Sequence, residues 1–138
     1  MTQIHSYLHF NGNCREAMTF YKECLGGELT LQTVGESPMS EKMPPQIKDL
    51  VLHASLTNVG LILLGSDMSP QNLIRGNAID IMLDFSSEEE IKATFQKLSE
   101  DGIIDHSLEE TFWGATFGNL TDKFGTPWMF NFTKNVNN

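Results

Sequence analysis

Positive charge is scarce in this chain: nine Lys and Arg stand against 18 Asp and Glu, giving a formal net charge of -9. Such a surface repels phosphate backbones and anionic headgroups, so nucleic acid and membrane surfaces are poor partners. Cysteine is scarcer still, with Cys14 and Cys24 alone. Both fall on one predicted helix, where ten residues separate them by about 15 Å, beyond disulfide reach. No apolar run approaches the ~20 residues of a membrane-spanning helix. The start, MTQIHSYLHF, has neither a basic segment nor an apolar stretch of signal length. These absences lead us to expect a soluble cytoplasmic protein. Catalytic signatures are missing too: there is no Gly-x-Ser-x-Gly, HExxH, phosphate-binding loop or zinc-ribbon cysteine set.

What is present is a repeat. Residues 4–10 read IHSYLHF and residues 79–85 read IDIMLDF, 75 positions later. The first half begins with an alternating strand over 3–10, with Ile4, Leu8 and Phe10 on one face and His5, Tyr7 and His9 on the other. Asn13 and Glu16 have capping-box spacing, and Cys14, Ala17, Met18, Tyr21, Cys24 and Leu25 form an amphipathic helical stripe. Gly26 and Gly27 end it; ELTLQTV resumes a strand, and LVLHASLT with LILLGSD reads as a hairpin around Asn58 and Gly60.

The second half repeats that order. AIDIMLDF is a strand, Ser87 and Glu90 repeat the cap, and Ile91, Thr94, Phe95 and Leu98 give the stripe. Gly102 ends the helix, IIDHS starts a strand, and FWGATFGNL and TPWMFNF flank a turn at TDKFG. Strands and the Gly27/Gly102 pair superpose at an offset of 75, and the caps and stripes at 74. An apolar fraction of 40% and nine Phe suffice for a packed interior at 138 residues. The expectation is an α+β chain of two βαβββ modules: module 1 over about 1–66, a linker at about 66–77, and module 2 over about 78–134. The 35–49 loop, GESPMSEKMPPQIKD, has no counterpart; its Met39 and Met43 suit a lid or a contact across a dimer.

YLHFNGNCREAMTFYKECLGGEL and TFWGATFGNLTDKFGTPWMFNF resemble the PhnB-like family of the vicinal-oxygen-chelate superfamily, together with glyoxalase I, bleomycin-resistance proteins and extradiol dioxygenases. The resemblance covers nearly the whole chain. It implies a glyoxalase-like fold, whose modules form a cupped mixed sheet around a small-molecule cavity, usually in a homodimer. Some relatives carry a 3-demethylubiquinone-9 3-methyltransferase label. That label gains no support here, because a nucleotide-type methyl donor needs a Gly-rich strand-to-helix turn and none is present.

The same resemblance places metal ligands on the first and last strands of each module. Carried over, the first-strand positions fall on His5 and Asp80, the last-strand ones near Leu63 or Leu64 and at Met129. A catalytic zinc site takes three N, O or thiolate ligands, and two apolar residues break that set. No metal or other cofactor is therefore expected, unless His9, His53 or Asp84 supplies a shifted ligand. The polar faces of the two first strands, His5, Tyr7 and His9 with Asp80, Met82 and Asp84, are expected to line a ligand site, joined by His53 and Trp113. His9 and Asp84 read equally well as hydrogen-bonded partners at the module junction. Cys14, in the first helical turn, has a position that lowers a thiol pKa, although its apolar stripe argues for burial. Catalytic residues are unknown at this stage. Three functions stay open: a metal-free pocket for a small organic molecule; a metal-dependent lyase, isomerase or dioxygenase using His5 and Asp80; and a metal-free acid-base enzyme. With only Arg15 and Arg75, the arginine cluster that a phosphonate would favour is missing.

Overall fold

A computed structural model of the chain describes residues 1–134. Its contacts divide it into two compact units, Met1–Ile74 and the chain from Arg75 onward. The first unit contains β1 (Ser6–His9), α1 (Cys14–Leu25), β2 (Glu28–Thr33), β3 (Val51–Asn58) and β4 (Leu61–Ser66). The second contains β5 (Ile81–Phe85), α2 (Glu88–Leu98), β6 (Ile103–Glu110), β7 (Ala115–Thr121) and β8 (Pro127–Thr133). Each unit is thus a βαβββ module. Strand orders are β1-β4-β3-β2 and β5-β8-β7-β6, so the two sheets share one topology. The first strand of each runs parallel to the last, and the other pairs are antiparallel. This is the α+β order of two βαβββ modules expected from the repeat, in the glyoxalase-like topology that the resemblance implies.

The repeated glycines have a repeated cause. A Cβ on Gly27 would collide with the Thr57 carbonyl at the end of β3, and one on Gly102 would stand 2.5 Å from the Thr121 carbonyl at the end of β7. In both modules the chain leaving the helix passes too close to the third strand for a side chain.

Helices cover one face of each sheet. In module 1 Cys14, Ala17, Met18 and Tyr21 of α1 are buried with Phe10, Ala54, Leu56 and Leu63. In module 2 Ile91, Phe95 and Leu98 of α2 are buried with Leu120, Trp128 and Phe130. Phe130 stacks parallel on Phe85 at 5.7 Å between centroids and receives Phe95 edge-on at 4.9 Å, geometries that add to plain area burial. Both expected helical stripes are therefore core.

The ends of the first strands depart from expectation. Regular pairing begins only at Ser6 and Ile81, and Ile4 and Ile79 are almost fully exposed rather than packed under a helix. His5 and Asp80 accordingly precede the strands. Asn13 precedes α1 without capping it through its side chain. The job falls to Asp67, just past β4, whose Oδ1 accepts from the backbone N–H of Gly12 and Cys14, each at 2.9 Å. In module 2 the expected cap does form, with Ser87 Oγ accepting from Glu90 N at 3.2 Å.

The 35–49 loop contains two 3₁₀ turns, Ser40–Lys42 and Pro45–Ile47. Its neck is closed by Val34 N donating to Leu50 O and Gly35 N to Lys48 O, both at 2.9 Å. Glu36 accepts from the backbone N–H and hydroxyl of Thr33, which holds its carboxyl below the usual range. Among the described residues, no helix is long and apolar enough to cross a membrane.

One core position is imperfect in a testable way. Thr116 of β7 is buried and its hydroxyl has no hydrogen-bond partner among the described residues. Valine has the same shape without the unsatisfied group. Thr116→Val is expected to stabilise the chain by about 1 kcal/mol, read from the urea midpoint at unchanged m-value.

Candidate functional site

The faces turned away from the helices carry the candidate site residues. In module 1 they are set by the β1–β4–β3–β2 register, with Tyr7 opposite Leu64, Leu64 opposite Ser55 and Ser55 opposite Thr30. His9 and Gln32 lie one pleat further along. Tyr7 is the centre of this group: its ring lies 5.3 Å from that of His9 and 6.2 Å from that of His53. The structure therefore brings together three of the sequence-predicted residues and adds Gln32, the β2 partner of His53.

A bulge makes this arrangement possible. Regular alternation would put Val51 on the face of His53, but Gln32 pairs with His53 and Thr33 with Val51, leaving Leu52 as an extra residue. Val51 turns into the core and His53 stays exposed. The same end of the sheet is fixed by Asp67, whose Oδ2 accepts from Val51 N at 2.8 Å, and by Ser66 Oγ donating to Leu52 O at 2.9 Å.

In module 2 two rows cross the open face. One runs Met82, Met129, Asn119, His106; the other runs Asp84, Asn131, Phe117, Glu109. Asp84 takes a hydrogen bond from Asn131 Nδ2 at 2.9 Å, and that nitrogen also lies 3.3 Å from Thr133 Oγ1. Asp84 is thus partnered within its own module. Asn119 Oδ1 is shielded from solvent and has no hydrogen-bond partner among the described residues. His106 is exposed, with Nδ1 3.0 Å from Ser107 O and Nε2 3.3 Å from Glu109 Oε1. Asn119, Asn131 and Phe117 escaped the sequence reading; their only signal was alternation in ATFGNLT and PWMFNFT, which also marks a strand with a solvated face.

Trp113 lies on neither face. It sits in the β6–β7 turn beside Phe112, with ring centroids 4.8 Å apart, and both are exposed. The other tryptophan, Trp128, is core.

The residues do not fit the superfamily's metal centre. His5 and Asp80 are exposed and outside the strands, and His5 Nε2 lies 3.2 Å from Gln3 Oε1. Leu63 is buried toward the helix, and Leu64 and Met129 offer no N, O or thiolate donor. Among the described residues no group of three or more His, Cys, Asp and Glu is placed to hold a metal ion.

Of the two tendencies at Cys14, the burial that its apolar stripe argues for prevails over the helix N-terminus. Burial pushes its thiol up to about 12, helped by the negative charge of Asp67, while Arg15 opposes the rise. The helix N-terminus does not prevail because Asp67 already occupies it. Both cysteines are buried, so neither is expected to react with a disulfide reagent at pH 8 before unfolding, and both after it. A folded pKa above the unfolded value contributes stability that is whole below the unfolded pKa and is lost as pH rises through the folded one. Stability is therefore expected to fall as pH rises from about 9 toward 12; Cys14→Ala should flatten that limb of a pH-denaturation profile.

Two modules of one βαβββ topology, each with a helix on one sheet face and polar and aromatic groups on the other, define a paired-module, glyoxalase-like protein. Residues 3–130 match the model of the Glyoxalase/Bleomycin resistance protein/Dioxygenase superfamily, and the chain belongs to that superfamily. It is 37% identical over 137 residues to Protein YjdN of Escherichia coli K12, covering 93% of each chain. It is also similar to the crystal structure of protein PA1353 from Pseudomonas aeruginosa, with a TM-score of 0.83, 38% identity, and 98% of this chain and 100% of that one covered. A second similar structure, from Bacillus cereus, is named a putative 3-demethylubiquinone-9 3-methyltransferase, PhnB protein; the TM-score is 0.78 at 28% identity, covering 96% of this chain and 100% of that one.

Proposed function

We propose that this protein binds a small organic molecule on the open faces of its sheets, as a PhnB-like member of the superfamily that dispenses with the three-donor metal centre. The observation that carries the reading is the contrast between two sets of positions. Those that would hold a metal are leucine, methionine or outside the strands, while Tyr7, His9, His53, Met82 and Asp84 occupy the open faces. Exposed apolar and aromatic side chains interspersed with a few polar groups are the composition of a ligand surface.

Methyl transfer is not carried over from the Bacillus cereus relative. A nucleotide-type methyl donor normally needs a Gly-rich strand-to-helix turn, and the sequence contains none. The protein is further proposed to be a cytoplasmic homodimer, a reading supported by the family geometry and tested by light scattering.

Chemical-shift mapping with a fragment library tests the ligand reading. Hits are expected to move the methyl signals of Met82 and Met129 and the ring signals of Tyr7, His9 and His53. Hits confined to Phe112, Trp113 or the helices would overturn it.

A further inference from the structure

We infer that the open face of module 2 is a site for an organic cation, an ammonium or guanidinium group carried on an apolar body. This inference rests on the ligand-binding reading and names the chemistry of one half of it. Its first support is a distribution of charge. None of the eight strands contains a lysine or an arginine. Every lysine and arginine among the described residues belongs to a helix, a turn or a loop. The four strands of module 2 instead carry Asp84, Asp105, Glu109 and Glu110. Glu110 is neutralised by Lys134 at 2.9 Å, and Asp105 receives the Thr121 hydroxyl at 2.8 Å. Among the described residues Asp84 has no cationic partner.

The second support is the setting of Asp84. Its Oδ1 is held by Asn131 Nδ2, and the residue is exposed. The adjacent row supplies Met82, more than half exposed, and Met129, and the Asp84 row continues through Asn131 to Phe117. Thioethers and an aromatic face beside one fixed carboxylate suit a cation with an apolar body: the ring quadrupole and the carboxylate both attract positive charge. An anionic ligand would meet the Asp84 charge with no lysine or arginine on these strands to offset it, and a neutral one would leave Asp84 unused.

The probe is phenethylamine, compared with phenethyl alcohol and 3-phenylpropanoate, titrated into the full chain while the Met82 and Met129 methyl signals are followed. The amine is expected to bind at least about tenfold more tightly than the alcohol, as befits a charged hydrogen bond. The acid is expected not to bind. Asp84→Asn, which keeps the acceptor for Asn131, should bring the amine down to the alcohol. In about 1 M salt, where the Debye length is about 3 Å, the preference should shrink in the unaltered protein; this readout needs no variant. Equal binding of amine and alcohol, insensitive to salt and to Asp84→Asn, would overturn the inference and leave the ligand reading standing. Silence of Met82 and Met129 with a response at Tyr7, His9 and His53 would do the same. Silence on both faces would remove both.

Discussion

Asp67→Ala is expected to destabilise the protein by about 4 kcal/mol, a large share of the roughly 5–15 kcal/mol that holds a domain together. The carboxylate accepts three backbone N–H groups, from Gly12, Cys14 and Val51, at 2.8 to 2.9 Å, and the residue is only 8% exposed. Each buried donor left without an acceptor costs about 1–3 kcal/mol, and no water can reach Cys14 or Val51, which are fully buried. Asp67→Asn is the informative control. It preserves an oxygen for Gly12 and Cys14 but turns an NH₂ toward Val51 N, so about half the loss is expected. Urea denaturation followed by circular dichroism measures both. A loss below about 1 kcal/mol for alanine would show that the three bonds are replaceable. The effect should reach the candidate site, because Asp67 ties the turn after His9 to the start of the strand that carries His53.

The module order was legible because periodicity reports burial directly. The stripes at Cys14–Cys24 and Ile91–Leu98 are core, and the Gly27/Gly102 pair marks the same close approach in each half. Asp67 was not legible. It lies in SDMSPQNLIRGN, a stretch without period, and its partners stand 55, 53 and 16 residues away. Asn13 has the spacing of a cap, yet spacing cannot reveal that a distant carboxylate occupies the same N–H groups. Ile4 and Ile79 failed for a related reason: alternation assigns faces only where a neighbouring strand is paired, and pairing starts two residues later.

The candidate site was legible in its first strands and obscure elsewhere. Alternation put Tyr7, His9, Met82 and Asp84 on open faces. The cross-strand partners Gln32, Asn131 and Phe117 depend on register, which in module 1 includes the bulge at Leu52. A one-residue slip reverses every face, so the sequence alone does not choose which of two alternating sets in PWMFNFT meets Asp84. Trp113 illustrates the converse: an aromatic residue type suggested a pocket lining, whereas the hairpin geometry puts it in a turn closed by Thr111 N donating to Ala115 O at 2.7 Å.

Asp122→Ala is expected to cost about 3 kcal/mol, with Trp128 as the reason and the reporter. Asp122 Oδ1 accepts from Phe124 N and Thr126 N at 2.8 and 3.1 Å, closing the β7–β8 turn, and its Oδ2 accepts from the indole N–H of Trp128 at 2.7 Å. The indole is among the largest fully buried side chains, so its donor has no solvent to fall back on. Trp128→Phe removes that donor at a cost in packing, and the double variant separates the two contributions. If the indole bond matters, Asp122→Ala should cost about 1–2 kcal/mol less in the Phe background than in the original chain, because the orphaned donor is gone. Simple additivity would assign the whole effect to the turn. A Trp113→Phe background leaves Trp128 as the sole tryptophan, and its emission should shift on Asp122→Ala even where the fold persists. The turn carries β8 into register, and β8 supplies Met129 and Asn131. Loosening it is therefore expected to weaken any ligand that Met129 and Asn131 hold before it unfolds the chain.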